Sequence, residues 1–193
     1  MTTRNQLVGI SLIISTVFTI STFFLLTPDG DLTKLGLLLD ILSYAFLIPG
    51  FFVLYALYKS AFPSLSITAM IIGITGTLIY AIANPFFDNL KIASGLIGVI
   101  GLVIPIMLFG ICAYRMPQFG MPRTLGIVGI LTGIFGIINL LAIFAGGGNW
   151  KSPNDNSFLA SIIFISYSAL IILSLVWSTW TGIILLSSKT KQA

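Results

Sequence analysis

The chain contains no histidine and no glutamate, a single cysteine, and charge on only 7% of its 193 residues. Each shortage excludes something. Without histidine there is no Ser-His-Asp triad and no proximal haem ligand, and zinc sites assembled from His and Cys cannot be built. The lone cysteine, Cys112, can form no disulfide within the chain, and as a small residue in an apolar run it needs no role of its own. No glycine-rich phosphate loop follows a strand and opens a helix; the triplet Gly146-Gly147-Gly148 lies in a polar connection. This residue set calls for no cofactor and no metal. It also argues against an enzyme: Asp40 with Ser43 or Tyr44 can in principle handle protons, but one acid without a second group is thin.

The scarcity of charge is the strongest signal, because a soluble domain of this size carries about a quarter charged residues. Here 57% of residues are apolar. The nine Lys and Arg side chains, net charge +4, are scattered singly with no basic run, which reads as membrane topology and not as nucleic-acid binding.

Six apolar runs have the length of a membrane helix, about 20 residues for roughly 30 Å of hydrocarbon. They cover about Leu7–Leu26, Leu35–Tyr58, Leu65–Asn84, Ile92–Tyr114, Thr124–Phe144 and Phe158–Leu186. The first exceeds the apolar core of a signal peptide, and Thr27-Pro28-Asp29-Gly30 reads as a turn instead of a cleavage site. The expected fold is therefore all-α, a polytopic six-transmembrane-helix bundle forming a single domain over 1–193, with no separate soluble module. If six spans alternate, Arg4, Lys59, Arg115, Arg123, Lys189 and Lys191 fall on one side, against Lys34, Lys91 and Lys151 on the other. That bias places both termini in the cytoplasm of a multi-pass cell-membrane protein.

Leu47-Ile48-Pro49 and Val103-Ile104-Pro105 each lead to an aromatic-basic pair, Tyr58-Lys59 and Tyr114-Arg115, then to a proline-containing loop and a Gly-bearing helix. Two readings stand. The second-third and fourth-fifth hairpins are parallel copies, or these are the residues that end membrane helices everywhere. Pro49 and Pro105, deep in their spans, are expected to kink them.

Within the spans only Asp40 is formally charged, about five residues or roughly 7.5 Å into the second helix. A carboxylate at the bilayer centre costs about 2.5–3.5 kcal/mol on insertion scales, less at this depth, and tends to face protein or water. Asn139 of the fifth span and Asn84 at the end of the third share its level, with Tyr44, Tyr80 and Tyr167 not far below. These six residues form the candidate ligand site, a polar cavity opening outward and able to hold a small cation, a water chain or a lipid head group. The competing reading makes Asp40 interfacial and the amides and phenols interhelical hydrogen-bond partners. Stripes of small or hydroxyl residues (Ser11, Ser15, Thr19, Thr22; Ala69, Gly73, Thr77; Ser94, Gly98, Gly101; Gly126, Gly129, Gly133, Gly136) point to close helix packing. Trp177 and Trp180 are expected to anchor the last helix at the interface.

The stretch Tyr114-Arg115-Met116-Pro117-Gln118-Phe119-Gly120-Met121-Pro122-Arg123-Thr124-Leu125-Gly126 resembles the fourth loop of a bacterial six-span family, domain-of-unknown-function family 4386. The likeness rests on an aromatic-Arg helix end and on Pro122-Arg123-x-Leu125-Gly126 opening a Gly-rich helix; elsewhere it is one of hydropathy. It implies a bacterial six-helix membrane protein and carries over no activity or site residue. The leading expectation is a bundle that binds or passes a small molecule, ion or lipid near Asp40. The alternative is a structural or accessory subunit of a membrane complex. The expected partners are membrane lipids and either another membrane protein or a second copy of the chain, with no nucleic acid.

Overall fold

Residues 2–27, 32–86, 91–117, 121–146 and 157–187 are described in a computed structural model, the side chains of 2–4, 83–86, 91–95 and 157 excepted. Six helices account for nearly all of them: α1 (Thr2–Thr22), α2 (Lys34–Tyr58), α3 (Pro63–Phe86), α4 (Lys91–Arg115), α5 (Arg123–Ala145) and α6 (Ser157–Ser187). All six are long and apolar enough to cross a membrane, and the chain is a multi-pass transmembrane helical bundle.

Five of the spans match their apolar runs to within two residues at either end, because in lipid the length of the run and the length of the helix are set by the same hydrocarbon thickness. The first differs. Its apolar run continues to Leu26, but the helix stops at Thr22, where successive i→i−3 bonds tighten the chain (Phe23 to Ile20, Phe24 to Ser21, Leu25 to Thr22, 3.0–3.2 Å). The chain then turns back: Leu26 bridges Leu32, and the Thr33 N–H donates to the Leu25 carbonyl at 2.9 Å. Thr33 caps α2 by accepting from the Gly36 N–H at 3.1 Å. Pro122, extended at φ −74° and ψ 155°, leads into α5 as expected of a proline at a helix start.

Each helix packs on its neighbours in sequence, and α6 returns to α1, so the six form a closed ring. Contacts between partners run antiparallel throughout. We call the end where α1 begins and α6 finishes basal, and the opposite end distal. The walls of the ring are drawn tight by glycine. A Cβ added at Gly101 of α4 would stand 2.6 Å from the Cα of Gly76 on α3, and one at Gly126 of α5 would stand 2.5 Å from the backbone nitrogen of Tyr114. Neither seam tolerates even a methyl group, so the small-residue stripes are spent within the chain.

The two ends of the ring are filled differently. The basal half holds one continuous apolar core, including Leu12, Phe51, Leu54, Tyr58, Phe109, Cys112, Leu125 and Trp177. Trp177, expected at the interface, is 3% exposed in this core; its indole lies against Gly129, where the absent side chain makes room for it. Tyr58 is wholly buried, and its hydroxyl donates to the Met121 sulfur at 3.4 Å, reaching from α2 to the α4–α5 connection. Tyr114, its counterpart in the apparent repeat, is instead exposed. Pro49 and Pro105 do fall at similar depths of α2 and α4, and both helices run through them. Among the described residues the distal apolar cluster is Ala142, Ile143 and Ile163, with Leu96 and Ile162 against them.

Candidate functional site

Toward the distal end the described residues bring polar side chains together. Asp40 stands six residues, roughly 9 Å, past the start of α2. Tyr80, the same distance from the end of α3, is carried to it by the antiparallel pairing of the two helices, and its hydroxyl donates to Asp40 Oδ2. Tyr44, one turn further along α2, packs its ring on Tyr80 with centroids 4.4 Å apart and planes tilted by 35°. Tyr167 comes from α6, which touches neither α2 nor α3 among the described residues, yet it lies within electrostatic reach of Asp40, Tyr44 and Tyr80. The group is shared by three helices, with Asp40, Tyr44 and Tyr80 half-buried and Tyr167 exposed. Four of the six residues expected from depth alone are thus brought together.

A fifth is not placed there. Asn139 shares the level of Asp40 but belongs to the opposite wall, where its amide donates to the Ile163 carbonyl (3.0 Å) and to Ser166 Oγ (3.1 Å), fastening α5 to α6. Its Oδ1 is sealed from solvent and has no partner. The side chain of Asn84 lies outside the described residues.

The charge state of the site has one clear boundary condition. Among the described residues no Lys or Arg forms an ion pair with Asp40; the Tyr80 hydroxyl is its one side-chain partner. Among the described residues Oδ1 receives no protein donor, and Asp40 as a whole is half-buried. Burying a carboxylate without a counter-charge is costly in low dielectric, and a proton or another cation removes that cost. No group of three or more His, Cys, Asp or Glu residues able to hold a metal exists among the described residues.

Polar contacts that depth did not point to lie in the seams of α1. Ser11 donates to the Phe46 carbonyl of α2 at 2.5 Å, and Thr16 and Ser178 share a 2.8 Å hydroxyl bond between α1 and α6, joined by Thr179 at 3.3 Å. Of the hydroxyl stripe of α1, Ser11 fastens α1 to α2, while Thr19 and Thr22 bond back to their own helix. Two shallow apolar depressions open elsewhere. One, of about 340 Å³, lies beside Pro49 between Val8 and Phe52; the other, of about 250 Å³, follows the α3–α4 seam at Gly76 and Gly101. Both are lined by hydrocarbon and suit lipid chains.

The fold defines a class: a six-span transmembrane helical bundle, here with a carboxylate–tyrosine cluster toward one end. No family model matches the chain, and no curated protein or solved structure is similar to it.

Proposed function

We propose that this is a non-enzymatic protein of the bacterial cell membrane, with both termini cytoplasmic, whose distal polar interior binds or passes a small molecule, ion or lipid at Asp40. The carrying observation is the carboxylate itself. It stands six residues into a membrane-spanning helix, is held by a tyrosine hydroxyl, and is matched by no basic side chain among the described residues. Membrane proteins keep intramembrane carboxylates where a ligand or proton meets them. The excess of Lys and Arg on the basal side supports a distal end that faces outward, and the resemblance to domain-of-unknown-function family 4386 supports the bacterial assignment.

The accessory-subunit reading drew on glycine-rich faces open to a partner. Those of α3, α4 and α5 are occupied by neighbours in the same chain, which leaves that reading the weaker support. Native mass spectrometry of protein released gently from its own membrane separates the two. A discrete bound molecule, absent from Asp40→Asn, is the expected result. A stoichiometric partner chain with no such molecule would replace this function with the accessory role.

A further inference from the structure

Every acidic side chain of this chain belongs to the distal half. Asp29 and Asp31 lie between α1 and α2, Asp88 between α3 and α4, Asp155 between α5 and α6, and Asp40 near the start of α2. The basal end carries Arg4, Lys59, Arg115, Arg123, Lys189 and Lys191, and not one Asp or Glu. Membrane topology accounts for the cations, because Lys and Arg near the span ends set orientation. It does not account for the missing acids, since Asp and Glu contribute little to that rule and are tolerated on either side. With no acidic side chain at their end of the bundle, the basal cations are left to an anion from outside the chain.

Packing gathers three of these cations. Tyr114 and Gly126 meet at the α4–α5 seam, where the glycine leaves no room for a Cβ against the Tyr114 backbone. Arg115 follows Tyr114 and is the last residue of α4; Arg123, one turn before Gly126, is the first of α5. Both arginines therefore stand at the basal end of one seam, and both are exposed. Tyr58 reaches Met121 in the connection between them, which brings Lys59, exposed and next in sequence to Tyr58, to the same part of the basal face. Arg123 also heads an apolar stripe, since Ile127, Leu131 and Ile134 follow it at helical spacing and are all exposed. In a membrane that stripe faces lipid, with the arginine at its head-group end.

We propose that Arg115 and Arg123, with Lys59 beside them, bind the phosphate of an anionic phospholipid of the basal leaflet, an acyl chain lying along Ile127, Leu131 and Ile134 of α5. A guanidinium matches two phosphate oxygens with two N–H donors, which a compact ammonium cannot do. A zwitterionic head group fits less well, because its own cation enters a field of like charge with no carboxylate to receive it. This site is separate from Asp40 and does not rest on the function proposed there.

The test is titration of the full chain, in a non-ionic maltoside detergent, with dioleoylphosphatidylglycerol, dioleoylphosphatidylcholine or inorganic phosphate, binding being read by native mass spectrometry. Saturable binding of one phosphatidylglycerol per chain is expected, tighter than phosphatidylcholine and weakened about fivefold in Arg115→Gln and again in Arg123→Gln. Lys34→Gln, which removes an exposed cation from the distal end, should leave it unchanged. In the wild-type chain the affinity should fall as ionic strength rises, a readout that does not depend on how any variant folds. Equal binding of phosphatidylcholine, binding that both glutamine variants retain, or binding indifferent to salt overturns the proposal. Inorganic phosphate bound as tightly, and lost with the same arginines, overturns the lipid assignment and makes this a site for a soluble anion.

Discussion

The basal and distal halves of this ring are built from the same six helices and solve the interior in opposite ways. At the basal end large side chains meet across the centre: Tyr58 reaches Met121, and Phe51, Phe109, Leu125 and Trp177 fill the remaining space. Toward the distal end the described residues bring together a carboxylate and phenols, and their apolar cluster is a few residues on the α5–α6 side. In lipid there is little hydrophobic gain to be had from filling an interior, so the basal half owes its stability to dispersion contacts and close approach. Under the function proposed above, the uncompensated carboxylate at one end is the cost a binding site carries, and that is what the comparison puts to the test.

Substitutions should therefore separate stability from binding along the length of the bundle. The largest loss is expected for Tyr58→Ala, which empties a fully buried site and removes the Met121 contact. The cost is about 3 kcal/mol, read as a lowered unfolding midpoint in detergent. Gly126→Val follows, at about 2 kcal/mol, because the added carbons collide with backbone of α4 that cannot rotate away. A wild-type midpoint in either variant would mean that the basal half is looser than its geometry implies.

Distal changes should be milder. Asn139→Leu gives up two interhelical bonds but also removes a sealed oxygen without a partner, for a net loss of about 1 kcal/mol. Asp40→Asn should leave the midpoint within about 1 kcal/mol of wild type, since the Tyr80 hydroxyl keeps an acceptor and an uncompensated charge is gone. The same variant abolishes ligand retention. If Asp40→Asn unfolds the protein as severely as Tyr58→Ala, the carboxylate is a structural pillar and the contrast between the halves fails.

Span positions were legible in the sequence because an apolar run and a bilayer constrain the same length. Where α1 ends was not, since Phe23-Phe24-Leu25-Leu26 is as apolar as a helix while local i→i−3 bonding and the bridge to Leu32 turn the chain back. For the site, the sequence carried depth but not direction around the ring. Asp40, Tyr44, Tyr80 and Tyr167 share a level and also face one another; Asn139 shares the level but belongs to the α5–α6 wall. Tyr58 shows the same limit from the other side. Its Tyr-Lys pairing matched Tyr114-Arg115 in pattern, yet one ring is in the core and the other is exposed, a difference that depends on tertiary packing alone.

The most direct test of the difference between the halves uses the chain's own cysteine. Cys112 is wholly buried in the basal core, and Tyr167→Cys in a Cys112→Ala background places a thiol in the distal site instead. Both proteins, reconstituted in nanodiscs so that each face meets solvent, would be exposed to a charged, water-soluble thiol reagent. Rapid modification at position 167 with Cys112 left unmodified is the result this account predicts. Equal rates, or faster modification of Cys112, would contradict a ring that is open and polar at one end and closed at the other.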